Sequence, residues 1–328
     1  MSLPDAALTH LRQVLRAPEL PGDRYEIREP IGHGGMGTVY RASDRTLGRE
    51  VALKVLRADV AGEDAAIRLE REARILARLE HPGIVPVHEV GTLADGRVYY
   101  VMKLVRGERL HDFARGVSRA DVLRVLQRVC ETVSFAHAQG VVHRDLKPSN
   151  IMVGGFGEVL VLDWGIARIR GTPHEGGDET AAPPFGAPSV AAPGEADTAP
   201  GVVLGTPGFM APEQARGDAG QIDARTDVYA LGAILRAVAG AGSATQPVPR
   251  PLAAIWNRAL SPDPGGRYGS AAELAADITR FLDGAPVAAY RENIAERAGR
   301  VFRKYQVAII LVLTYLAVRL LFLAMRGL

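Results

Sequence analysis

The sequence predicts an α+β chain of two lobes, a strand-rich one followed by a helical one, with a cleft where they meet near residues 103–110. Three observations carry this. Short alternating apolar runs cluster between residues 24 and 103, apolar residues recur at helical spacing through most of 110–284, and the change of period falls at one place. The chain has 328 residues and is 47% hydrophobic, which is enough to bury a substantial core.

In order, residues 5–17 place Leu8, Leu11, Val14 and Leu15 on one face of a short amphipathic helix within an N-terminal extension, 1–23. The stretches "YEIREPIG", "GTVYRAS", "EVALKVL", "VPVHEVG" and "RVYYVMK" read as five short strands. Between the third and fourth, "EDAAIRLEREARILARLE" reads as a helix with Ile67, Leu69, Ile75, Leu76 and Leu79 on its period. The helical half is interrupted by "VVHRDLKPSN" and "EVLVLDWG". Residues 171–201 hold six Pro, six Gly, five acidic residues and no Lys or Arg, a composition that predicts a flexible insertion.

A basic stretch, 285–306, precedes "VAIILVLTYLAVRLLFLAM" at 307–325. Nineteen residues at about 1.5 Å each reach roughly 28 Å, so the run predicts a membrane-crossing helix, with a buried or in-plane helix as the other reading. Arg319 can snorkel toward the far interface. Arg297, Arg300, Arg303 and Lys304 precede the run and only Arg326 follows it, which places the large N-terminal part in the cytoplasm. The first residues, with Pro4, Asp5 and Arg12, hold no apolar leader core, and three residues follow Met325. The reading therefore expects neither a signal peptide nor an external sensor domain.

Charge and cysteine content exclude several classes. Lys and Arg number 39 against 37 Asp and Glu, and no basic stripe is interleaved with aromatics, so nucleic acid is not an expected partner. Cys130 is the only cysteine, which rules out a disulfide framework or thiolate metal cluster. Its helical apolar surroundings make it a small buried hydrophobe.

Chemistry gathers at four places. "IGHGGMGTV" sets Gly32, Gly34 and Gly37 in G-x-G-x-x-G spacing between strands, where bare backbone can approach phosphate. A dinucleotide turn of this spacing would open a helix instead. Lys54 in "VALKVL" either faces water or pairs with Glu72 on the following helix. In "VVHRDLKPSN", Asp145 is placed to accept a hydroxyl proton, Lys147 to neutralise a moving phosphoryl group, and Asn150 to offer Mg²⁺ an oxygen. Asp163 in "LVLDWG" follows at hairpin distance as a second oxygen ligand.

With "GTPGFMAPE" at 205–213, "TDVYALG" around Asp227 and "DPGGRY" around Arg267, these pieces fall in one order. The chain resembles the eukaryotic-like Ser/Thr protein kinases of bacteria over about 24–284, with lobes at 24–103 and 104–284. The resemblance implies a protein-kinase fold and transfer of the ATP γ-phosphate to Ser/Thr hydroxyls of protein substrates. It also implies autophosphorylation, Mg²⁺ or Mn²⁺ as cofactor, a homodimer among the partners, and membrane-associated signalling from the inner membrane.

It implies that Ile31, Gly32, His33, Gly34, Gly35, Met36 and Gly37 cover ATP, and that Lys54, set by Glu72, holds the α- and β-phosphates. Val39, Ala52 and Met152 would enclose the adenine, with Met102 behind it. Asp145 would be the base, Lys147 the γ-phosphoryl partner, and Asn150 and Asp163 the metal ligands. Arg144, directly before the base, implies control by a loop phosphate; Thr198 is the expected site, and Thr206 is assigned to the substrate-facing turn.

The chain departs from the family at Trp164, which replaces a phenylalanine, at Lys103, which replaces a hinge glutamate, and in the short Pro/Gly/Ala-rich stretch after "ALGAIL". A membrane-tethered pseudokinase scaffold and a small-molecule kinase are the rival readings.

Overall fold

The computed structural model describes residues 18, 20–34, 37–58, 63–164, 168–169, 208–218, 222–241 and 247–326. The helix read at 5–17 and the insertion read at 171–201 lie outside them.

The first lobe is an antiparallel sheet in the order β1-β2-β3-β5-β4. Its strands are β1 (Tyr25–His33), β2 (Gly37–Asp44), β3 (Arg49–Leu56), β4 (Val87–Thr92) and β5 (Val98–Lys103), as the alternating runs predict. Helix α1 (Glu63–Arg78) crosses between β3 and β4. The pleat sends Val51, Leu53 and Val55 to an outer core with Tyr25, Ala42, Tyr99 and Val101. The alternate positions, Ala52 and Lys54 on β3, pair in register with Met102 and Tyr100 on β5 and face inward. On α1, Leu69, Ala73 and Leu76 are buried against Tyr100 and Val98. Ile67, expected on that stripe, is 57% exposed instead. It stands two residues, about 200°, around the helix from Leu69.

The second lobe begins with β6 (Glu108–Arg109), α2 (Leu110–Gly116) and α3 (Arg119–Ala138), the last capped by Ser118, whose hydroxyl accepts from the Asp121 amide. Val122, Leu126, Val129 and Val133 bury one face of α3, and Cys130 sits among them, its thiol pushed upward by burial. Then come β7 (Val141–Val142), a 3₁₀ turn at Pro148–Asn150, β8 (Ile151–Val153), β9 (Val159–Val161) and β10 (Arg168–Ile169). Helices α4 (Pro212–Ala215), α5 (Ala224–Ala241), α6 (Arg250–Ala259) and α7 (Ala271–Leu282) complete the lobe. At Gly232 a Cβ would lie 2.5 Å from that of Ala259, so the α5–α6 crossing requires glycine there.

Packing continues past Gly284. Val287 is buried, and the fully buried Asp277 accepts from the amides of Ala288 at 2.8 Å and Ala289 at 3.0 Å and from the Tyr268 hydroxyl. Helix α8 (Ile294–Arg326) follows at once. Its first turn is closed by a reciprocal cap, Glu296 amide to Asn293 Oδ1 and Asn293 amide to Glu296 Oε2. The Tyr290 hydroxyl donates to Glu296, and Arg300 pairs with Glu292 at 2.9 Å.

The run read as a membrane span lies in α8, which bends by 73° between Ile294–Arg300 and Tyr305–Arg319. Among the described residues no single helix is long and apolar enough to cross a membrane, although the two stretches together meet that test. Tyr305–Arg319 alone reaches only roughly 22 Å. Val307, Ile310, Leu311, Leu313 and Tyr315 are all exposed.

Candidate active site

Lys54 is buried on the inner face of β3 because its register puts it opposite Tyr100, between the sheet and α1. A buried ammonium needs a counter-charge, and Glu72 on α1 supplies it, with Nζ at 2.7 Å from Oε1 and 2.9 Å from Oε2. Burial pushes the ammonium pKa down, but Glu72 outweighs it and leaves the pKa raised. The Tyr100 hydroxyl donates to the same Oε1 at 2.9 Å, a contact the sequence reading missed. Of the two readings open for Lys54, the pair with Glu72 is the one observed.

Facing this pair is the stretch between β7 and β8. Its shape is fixed from below by Asp227 on α5, which is fully buried. One carboxylate oxygen accepts from the Arg144 amide at 2.8 Å, and the other from the His143 amide at 2.8 Å, with His137 Nε2 2.7 Å away. His143 completes the frame. Its Nδ1 accepts from the Asp145 amide, so its Nε2 donates to the Leu162 carbonyl at 3.0 Å. Trp164, wholly buried, lies 4.6 Å from the His143 ring and donates to the Val161 carbonyl.

Arg144 and Asp163 are the non-glycine residues with left-handed backbone among those described, at φ 70° and 57°. Such strain persists where the surroundings over-determine it, and both residues border the cleft.

On this frame Lys147 Nζ lies 2.8 Å from Asp145 Oδ2, and Asn150 donates its amide to the Asp145 carbonyl at 2.9 Å. Asp163 Oδ1 is 3.6 Å from Lys54 Nζ, and its side chain is 58% exposed toward the cleft. The protein packed around the cleft mouth still pushes its carboxyl up by desolvation, but Lys54, His143, Arg109 and Lys147 together hold it below the ordinary range, so it is charged. The Asn150 amide nitrogen is committed to Asp145, which leaves its oxygen as an acceptor. An ionised carboxylate and an amide oxygen suit Mg²⁺, which takes one or two protein ligands and completes its shell with phosphate oxygens and water. Among the described residues no cluster of three or more His, Cys, Asp or Glu forms a closed metal cage.

Ala52, buried, and Met102, half-buried, face each other across β3 and β5, with Val39 alongside Lys54 on β2. Met152 stands on β8 opposite Arg109, and Arg109 bonds the Ser149 carbonyl. Ile31, Gly32, His33 and Gly34 edge the cleft from β1 to the turn, where the Gly34 amide donates to the Gly37 carbonyl. Gly37 is sterically required: a Cβ there would lie 2.9 Å from the Val55 carbonyl and 3.3 Å from the Lys54 chain. Gly35, Met36, Thr198 and Thr206 lie outside the described residues. Lys103 pairs at the surface with Glu158 at 2.8 Å.

A second buried pair braces the site. Arg267 donates to Glu213 through two bonds of 2.7 Å, both side chains fully buried, while Gln214 bonds the Arg144 carbonyl at 2.8 Å. Burial raises the carboxyls of Glu213, Asp227 and Asp277. Hydrogen bonds from Arg267, from His137, and from the Ala288 amide and Arg280 respectively outweigh it and leave all three below their ordinary values. Depressed carboxyls stabilise the fold above the unfolded-state range of about 4, and that contribution is lost as pH falls through the folded values. The thermal midpoint is therefore expected to hold from neutral pH down to about 5 and to fall steeply below 4. A midpoint that is flat down to pH 3 would refute this.

The sequence profile described as "Protein kinase domain" matches residues 25–244. The chain belongs to the protein kinase family. This kinase is 35% identical over 303 residues to serine/threonine-protein kinase PknB of Mycobacterium tuberculosis, covering 83% of this chain and 45% of that protein. It is 35% identical to serine/threonine-protein kinase PknD of Chlamydia caviae, covering 80% of this chain and 32% of that one. The chain thus spans less than half the length of these relatives. The crystal structure of the Mycobacterium tuberculosis PknI kinase domain superposes with a TM-score of 0.56 at 26% identity, covering 80% of this chain and 98% of that one.

Proposed function

We propose that this chain is a Ser/Thr protein kinase held at a membrane by α8. The observation that carries the catalytic part is the convergence on one cleft of Asp145 paired with Lys147, Asn150 beside it, and Asp163 within reach of the Lys54–Glu72 pair. In this reading the Asp145 carboxylate accepts the proton of a substrate hydroxyl as the hydroxyl oxygen attacks the γ-phosphorus of ATP and the bond from that phosphorus to the bridging oxygen breaks, releasing ADP. Lys147 moderates the negative charge there, and Lys54 orients the α- and β-phosphates. Asn150 and Asp163 would hold Mg²⁺ or Mn²⁺, which would supply charge neutralisation at the phosphate oxygens. Incubation with labelled ATP, Mg²⁺ and a basic acceptor protein is expected to place label on serine and threonine. Label confined to tyrosine, or none at all, would overturn the assignment.

The tether rests on the exposed apolar residues of α8 and the arginines before them. In fractionated cells the full chain is expected in the carbonate-resistant membrane pellet, and a chain truncated after Asn293 in the soluble fraction with activity retained. Truncation after Gly284 instead strips Asp277 of two amide donors and removes Val287, so it is expected to lower the thermal midpoint. Full-length protein in the soluble fraction would exclude the tether.

A further inference from the structure

Tyr100 stands at an inward position of β5, beside the apolar Val98, Leu69, Ala73 and Leu76 and the buried Lys54–Glu72 pair. A phenol there is costly unless its hydroxyl is partnered, and a phenylalanine would fill the same space without that cost. The hydroxyl bonds Glu72 Oε1, the atom that also receives Lys54. Glu72 is 2% exposed, so it cannot turn to water for a replacement donor.

Lys54 has two obligations in the kinase reading, on which this inference rests: the carboxylate of Glu72 and the phosphates of the nucleotide. In the present geometry it gives Glu72 both of its short contacts. Its third N–H can serve a phosphate, but a shift of the ammonium toward that charge lengthens the bonds to Glu72, which holds α1. Tyr100 has no such second partner. Its ring also lies 5.8 Å from the Lys54 ammonium and limits where that side chain can go. Burial first, and then the Glu72 charge, push the phenol pKa well up, so the hydroxyl stays a donor at any working pH.

We infer that Tyr100 is a positioning residue: its hydroxyl latches Glu72, and with it α1, to the sheet independently of whether Lys54 is engaged by nucleotide. The test is Tyr100→Phe in the full chain, in wild-type and Glu72→Leu backgrounds, the latter with no acceptor left for the hydroxyl. It is read by the Kd of a fluorescent ATP analogue, by KM for ATP and for protein substrate, and by amide exchange across residues 63–78. Loss of a hydrogen bond to a buried charge predicts about tenfold weaker nucleotide binding. KM for ATP should rise in parallel, KM for the protein substrate should stay unchanged, and exchange in α1 should be faster. In the Glu72→Leu background the substitution should add little.

Equal losses in both backgrounds would assign Tyr100 to packing alone, and no change in the wild-type background would remove the latch. If Tyr100→Phe does not fold, Tyr100→Met takes its place in the same cycle. A wild-type chain that binds the analogue but transfers no phosphate would refute the kinase reading, while the binding and exchange measurements would still decide the latch.

Discussion

Asp145→Asn is expected to lower phosphoryl transfer by a factor of about 10² to 10⁴ while leaving ATP affinity and the thermal midpoint near those of the wild type. The change removes the group proposed to take the hydroxyl proton but keeps a side chain of the same shape. The bonds that shape the loop at this residue come from its backbone: its amide to His143 and its carbonyl from Asn150. The amide oxygen of the variant can still accept from Lys147, so the loop has no reason to collapse. Lys54→Ala should cause a comparable loss by another route, through weakened ATP binding, and it leaves Glu72 buried with Tyr100 alone. Single-turnover assays with ATP titrations separate the two. Turnover of the Asp145→Asn protein within threefold of wild type would show that another group is the base.

Arg267→Ala is expected to cost about 3–5 kcal/mol of unfolding free energy, among the largest single-site losses available in the second lobe. The guanidinium makes two bonds to Glu213 and others to the carbonyls of Ser261 and Arg225, and it lies 5.0 Å from the Tyr229 ring. Its removal strands a carboxylate with no access to water, left with the Thr226 hydroxyl at 2.9 Å and its own backbone amide. Glu213→Gln introduced into the Arg267→Ala protein removes the stranded charge, so it should restore part of the loss. Urea unfolding measures both. A loss under 1 kcal/mol for the single variant would mean that water or another cation reaches Glu213. Activity should fall with stability, because Gln214, next to Glu213, holds the carbonyl of Arg144, the residue before Asp145.

How much could be read from the chain depended on how far apart the cooperating residues lie. Asp145, Lys147 and Asn150 occupy six consecutive positions, so their meeting is a local fact and the sequence states it directly. Lys54 is different. An alternating strand places a lysine inward or outward with equal ease, and only the register of β3 against β5, together with α1 lying across them, makes it buried. Tyr100 looked like an ordinary strand aromatic, because nothing near it in sequence reveals a carboxylate 28 residues earlier. Asp227 was visible as part of a motif, but its bonds to two backbone amides more than 80 residues away belong to tertiary structure alone. Ile67 was misplaced because a short apolar run fits more than one helical stripe. Residues 285–293 read as the start of a basic connector by composition. Val287 and the amides on Asp277 tie them to the second lobe.

That last feature sets a geometric rule for what the enzyme can reach. Eleven residues separate Leu282 from Ile294, and a loose strand of that length would let its ends wander over roughly 18 Å. The bonds at Asp277, Tyr290, Glu292 and Asn293 remove that slack. Under the proposed tether, with Tyr305–Arg319 seated in a bilayer, the height of the cleft over the lipid plane would be set by the 73° bend in α8 and not by a loose connector. On that proposal, target proteins would be sorted by altitude before they are sorted by sequence: an acceptor hydroxyl displayed at the right elevation could reach Asp145, and one carried too near or too far from the surface could not.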